Sequence, residues 1–336
     1  MFENYTDKDV REIQEALYRA DLDGRKEIIE QFRKMDWRKL LELPKPEVLF
    51  LCKIFGFGYG YICGEPMIDR YISQNCFTKI SYNPSATHQD IVEAQIQLAN
   101  LYRFADLAKA SKALLAKLEP KLENVSSEVK GNFYWVRAAS CIDDLDNYSE
   151  YTQKAMDEYE KIPYEERSII VKDRMLCLKV WQGFQLERMA YLLRLTGTTD
   201  EDTGVFFNLS RSIFIDAITE CEREGIKRAV DAYLHLAVLS AYIDEDYETA
   251  ELYLEKAKEF NAQYFPFFEK LVNLRCSIGR SQEPEELSEF SLNTYKQEVD
   301  AWGWAKGALF IKLKELLEEK YKERPDVLKE RLAKIS

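Results

Sequence analysis

The chain has 336 residues, 46% of them hydrophobic, which is more than one typical compact domain needs and enough for a large core. Its formal net charge of -12 works against broad non-specific DNA binding, which requires a positive field to displace phosphate counterions. Gly 13 and Pro 9 are few for this length, and Glu, Lys, Leu and Ala recur throughout, so the composition is that of a helical protein.

Thr6 and Asp9 form a capping-box-like start, followed by Val10, Ile13, Leu17 and Ala20 on one helical face. Asp23-Gly24 ends that helix. Ile28, Ile29 and Phe32 mark a second one, and Pro44 and Pro46 precede a third segment. The apolar stretch from Val48 to Cys63 is interrupted by Lys53 and is too short to span a bilayer, so it reads as a buried helix. No charged segment followed by an apolar run opens the chain, so no signal peptide is expected. Residues 1–77 therefore form an N-terminal helical cap. Inside it lies the glycine-rich run Phe55 to Tyr61. No strand precedes it and no Lys-Ser/Thr follows, so it predicts a tightly packed helix end and not a phosphate cradle.

Asn83-Pro84-Ser85 marks the best boundary, between Thr78 and Gln89. Thr87 then caps a helix with Ile91, Ala94, Leu98 and Leu101 on one face. From here helices come in pairs. Breaks are expected near Ala105-Asp106, Asn124, Asp146-Asn147, Pro163, Gln182-Gly183, Thr196 to Gly204, Gly225, Asp244 to Asp246, Pro266, Gly279 and Pro284. Residues 88–300 thus read as antiparallel pairs stacked in sequence. The stretch from Trp302 to about Lys320 is an amphipathic helix that Pro325 closes, and residues 301–336 form C-terminal capping helices.

Seven cysteines are scattered without a CxxC pair, and an odd count cannot all pair within one chain. Reduced thiols in a cytoplasmic protein are the expectation. His88 and His235 lack metal-ligand spacing, so no metal and no cofactor are expected. Carboxylates cluster at Asp143-Asp144-Asp146, Asp200-Glu201-Asp202 and Asp244-Glu245-Asp246. All fall at expected helix ends, where such residues serve as caps. No catalytic constellation emerges, so the chain reads as a non-enzyme, with an enzyme whose site is assembled between helices as the lesser alternative.

The clearest internal unit is Ala232 to Tyr242, then Asp246-Tyr-Glu-Thr-Ala250, then Tyr253-Leu-Glu-Lys-Ala257. It resembles the tetratricopeptide repeat, whose period is about 34 residues. One residue is surplus between Ala237 and Tyr247. A second unit, from about Asn132 to Glu165, has Trp135, Ala139, Tyr148 and Pro163 at the family's spacing and departs at Tyr151, where a small residue is expected, and at Glu158. A third and weaker one contains Leu98-Ala99, Tyr102 and Ala110. The resemblance implies an all-α, right-handed α-solenoid of degenerate helix pairs, capped by helices at each end.

Asn-x-x-Arg occurs twice, as Asn100 to Arg103 and Asn208 to Arg211, with both side chains of each pair on one helix face. Asn273 with Arg275 is an echo. The resemblance implies that Asn100 and Arg103, like Tyr242, point to the concave face, where such proteins hold ligands. An amide can bond both groups of a peptide backbone, and Arg can fork onto a carboxylate. The candidate ligand residues are therefore Asn100, Arg103, Asn208, Arg211, Asn273 and Tyr242. They would serve a protein- or peptide-binding scaffold or regulator, with no membrane and no nucleic-acid partner, and with a homodimer left open. The size and degenerate repeats also look like intracellular signal-peptide receptors of the RRNPP type, whose members control transcription or a partner protein.

Overall fold

The computed structural model describes residues 66–104, 107–141, 144–226, 229–259, 265–280 and 317–335, together with residues 12, 15, 16, 19, 52, 53, 314 and 315. The expected helices at Thr6 and Ile28, the run Phe55 to Tyr61, the breaks at Ala105-Asp106 and Pro284, and most of the segment from Trp302 lie outside the described residues. The described chain is helical, with no strand among the described residues. It divides into two compact units. One comprises residues 1–178 and 224–227, the other residues 179–223 and 228–336.

The first unit contains α1 (Pro66–Ser81), α2 (His88–Phe104), α3 (Ala108–Leu118), α4 (Ser127–Ala139), α5 (Leu145–Glu160) and the N-terminal part of α6 (Ile169–Leu195). Packing follows chain order. α1 lies on α2, α2 on α3 and α4, and α4 on α5. Each start has a local cause. Thr87 and Asp90 form a reciprocal capping box before α2, with Thr87 N–H donating to Asp90 at 2.9 Å and Asp90 N–H to Thr87 Oγ1 at 3.2 Å. Ser126 accepts from the Val129 N–H before α4, and Asp144 from that of Asn147 before α5. Asp146-Asn147 thus lies in the first turn of a helix, not in a gap. Replacing Ser126 with Ala is expected to cost about 1 kcal/mol of stability, read by urea unfolding, because an orphan N–H at the start of α4 loses its acceptor.

α4 and α5 meet closely because Gly131 leaves room for the ring of Tyr159, which is fully buried. The Tyr159 hydroxyl donates to Asn132 Oδ1 at 2.8 Å, so the ring's polar end is satisfied inside the core. Tyr151, where a small residue was expected, does not sit in that contact. Its ring stacks beside Tyr134 and lies under the Arg137 guanidinium, 5.0 Å from it. Ala155, fully buried, is the small residue of this face.

The second unit holds the rest of α6, then α7 (Asp200–Glu224), α8 (Val230–Leu239), a π turn (Ser240–Asp244), α9 (Tyr247–Lys258), α10 (Phe265–Gly279) and α11 (Pro325–Ile335). α8 packs on α9 and both on α10. Thr199 and Asp202 cap α7, and Asp246 caps α9 by accepting from the Thr249 N–H. In each of the three acidic clusters one carboxylate, Asp144, Asp202 or Asp246, thus serves a helix cap. Ala237, Ala250 and Ala257, the small residues that the resemblance singled out on α8 and α9, are all fully buried.

The break expected at Gln182-Gly183 is absent. α6 runs straight through Gln182-Gly183. Gly183 is there for proximity. A Cβ at this position would lie 2.6 Å from Phe214 Cε1 of α7, and its carbonyl accepts from the buried Ser210 hydroxyl at 2.8 Å. A glycine inside a helix costs helix propensity, and close approach of the next helix compensates it.

Candidate functional site

Between Ala237 and Tyr247, where the resemblance leaves one residue over, the helix changes form. An α-helix absorbs one extra residue by widening a turn to i→i+5, and Ser240–Asp244 is such a turn. Glu245 closes it at φ 54°, a left-handed conformation rare for a residue with a side chain. This places Tyr242, Asp244 and Glu245 on one short segment between α8 and α9.

Two arginines grip that segment. Arg211 of α7 donates to both carboxylate oxygens of Asp244, at 2.7 and 2.5 Å, and to Asn208 Oδ1 at 3.1 Å. Arg275 of α10 is 3% exposed, yet its guanidinium reaches Glu245 at 2.8 Å. It also lies 5.7 Å from the rings of both Tyr242 and Tyr247. A planar cation between two aromatic faces gains from each quadrupole and keeps its donors for the carboxylate. Burial pushes the hydroxyl of the neighbouring Tyr191 well up, and the Glu187 and Tyr242 charges add to this.

The sequence-predicted residues fall into three groups. Asn208, Arg211 and Tyr242 come together at the π turn. Asn208 is exposed, Arg211 and Tyr242 half-buried. Asn273 is exposed on α10 but two residues from Arg275, a spacing that turns their side chains apart. Asn100 and Arg103 belong to the other unit. There the Asn100 Oδ1 accepts from Arg103 at 3.2 Å, the same in-helix bond that Arg211 makes to Asn208, but Asn100 is only 5% exposed, so its amide is buried.

A further polar pair was not apparent from sequence. Glu187 of α6 is fully buried and its Oε2 lies 2.8 Å from Nδ1 of His235 in α8. The imidazole is stacked on Phe214 at 4.8 Å and flanked by Phe184 and Phe268. Burial pushes the Glu187 carboxyl up, and His235 partly offsets this. Carboxylate and imidazole are the groups of acid–base chemistry, but such work needs a substrate within hydrogen-bond reach. This pair is enclosed by aromatic rings and reads as a core polar contact. The only sequence signal was an acid inside the buried stretch of α6, with its partner 48 positions away.

Among the described residues no group of three or more His, Cys, Asp or Glu side chains could hold a metal ion. No described helix is long and apolar enough to cross a membrane. No family model, curated protein or solved structure matches the chain.

Proposed function

We propose that the protein is a non-enzymatic, cytoplasmic scaffold or regulator that binds a peptide or protein segment on tetratricopeptide-like helix pairs, of the kind that stack into a right-handed solenoid. The observation that carries this reading is the polar cluster at the π turn. It sets the exposed Asn208 amide beside a row of charged groups held in fixed geometry by Arg211 and Arg275. A side-chain amide can donate to and accept from one peptide unit, and partly exposed Arg–carboxylate pairs can exchange partners with a charged peptide. π turns recur at functional sites. The fully buried alanines of the α8–α9 unit support the repeat reading. So does chain-order packing within each unit.

Panning a displayed library of short peptides against the full chain tests this. The expected result is enrichment of peptides whose affinity falls about tenfold or more in Asn208→Ala/Arg211→Ala, a loss of at least about 1.4 kcal/mol. Failure to enrich any peptide over a heat-denatured control would remove the proposal. So would equal affinity of the double variant.

A further inference from the structure

The chain from Ser240 to Asp246 is a strained segment between two well-anchored helices. Every residue of α8 from Leu234 to Leu239 is buried. α9 is held against α10 by Tyr247, whose hydroxyl end occupies the place that a side chain at Gly279 would take, and by Glu251, which accepts from Arg280 at 2.6 and 2.9 Å. The segment between them turns outward. Ser240 and Ala241 are buried, Tyr242 and Ile243 half-buried, and Asp244, Glu245 and Asp246 exposed. A single carbonyl, that of Ser240, accepts from both the Glu245 and the Asp246 N–H. Glu245 stands at φ 54°, a region that costs a residue with a Cβ a factor of roughly 5–30 in population. The offset comes from outside the segment. Arg211 of α7 binds both oxygens of Asp244, and Arg275 of α10, itself buried, holds the exposed Glu245.

We propose that residues 240–246 are a latch with two states. In the shut state both ion pairs are made. In the open state Glu245 has left the left-handed region while α8 and α9 stay folded. Strain at Glu245 pushes toward the open state, and the two arginines hold the latch shut. Each arginine stands on a helix other than the two that the segment joins. Shutting the latch therefore ties α7 and α10 to the α8–α9 connection, and opening it frees the Arg211 fork and uncovers Arg275. A peptide held at Asn208 and Arg211 would favour the open state by drawing Arg211 from Asp244. That consequence rests on the function proposed above; the two states do not.

Amide hydrogen exchange of the full chain, with no peptide present, tests the latch. In the native chain, amides 242–246 are expected to exchange at rates that up to about 1 M urea leaves unchanged, while those of 234–239 speed up, because a local opening exposes little surface. Arg211→Met should speed exchange of the segment about threefold, the worth of a partly exposed ion pair. Glu245→Gln should speed it about tenfold, because a buried guanidinium loses its carboxylate. Glu245→Gly also lacks the carboxylate but is at ease at φ 54°. Its segment should exchange about fivefold more slowly than that of Glu245→Gln, after correction for intrinsic rates. In each variant α8 and α9 should keep their native rates. The proposal fails if the segment follows the urea dependence of α8, or if Arg211→Met and Glu245→Gln both change its exchange by less than about twofold. It also fails if Glu245→Gly and Glu245→Gln exchange alike. The urea series on the native chain decides whether the segment opens by itself even if a variant does not fold. Failure here leaves the peptide-binding reading standing, and failure of the panning leaves the latch standing.

Discussion

Replacing Glu93 with Gln is expected to leave stability unchanged near pH 4.5 and to raise it by up to about 3 kcal/mol above pH 7, relative to the native chain. Glu93 is on α2, and its carboxyl is desolvated although part of the side chain is covered only loosely. Burial pushes it up to about 7, and the Glu128 carboxylate pushes the same way. Arg174 and Lys53 pull it down without restoring its ordinary value of 4.5. The sign follows from proton counting. Below 4.5 the acid is neutral in both folded and unfolded chains. Between 4.5 and 7 the unfolded chain has released the proton and the folded chain still holds it, so each rise in pH favours unfolding. The contribution is therefore fully present below pH 4.5 and lost as pH rises through 7. Gln keeps the shape and cannot ionise. Urea unfolding of both chains at pH 5, 6, 7 and 8 reads the difference directly. A constant offset over that range would mean that Glu93 ionises as it does in water.

Much of the helical order was readable because it is written in local chemistry. Thr87, Asp144 and Asp246 announce helix starts by bonding residues three places on. Ala237, Ala250 and Ala257 announce a close helix pair by their size. What could not be read depends on which helix lies opposite. Gly183 has the look of a break, and only the ring of Phe214 across the contact explains why the helix continues. The residue surplus to the repeat was visible as a count, but its form as a π turn with Glu245 in the left-handed region was not. Periodicity put Asn100 and Arg103 on one face without saying that the amide would be buried. The Glu187–His235 contact joins distant parts of the chain, where spacing carries no information.

Phe214→Ala is expected to cost about 3–5 kcal/mol, the range for emptying a fully buried aromatic site. Its ring does two jobs. One face lies on the His235 imidazole, inclined by 15°, and its edge fills the space above Gly183. The second job makes the effect of Gly183→Ala depend on what stands at position 214. In the native chain the new methyl would meet Phe214 Cε1 at 2.6 Å, inside any tolerated contact, and overpacking of this kind costs about 1–3 kcal/mol. Both helices would have to part, and the Ser210 bond to the Gly183 carbonyl would lengthen with them. In the Phe214→Ala background the methyl enters space already vacated, and Ala exceeds Gly in helix propensity by about 1 kcal/mol. Gly183→Ala should thus destabilise the native chain and stabilise the Phe214→Ala chain. A double-mutant cycle by chemical unfolding would return a coupling of at least about 2 kcal/mol between the two positions. Additive effects would place the ring elsewhere, and with it the stack that holds His235 against Glu187.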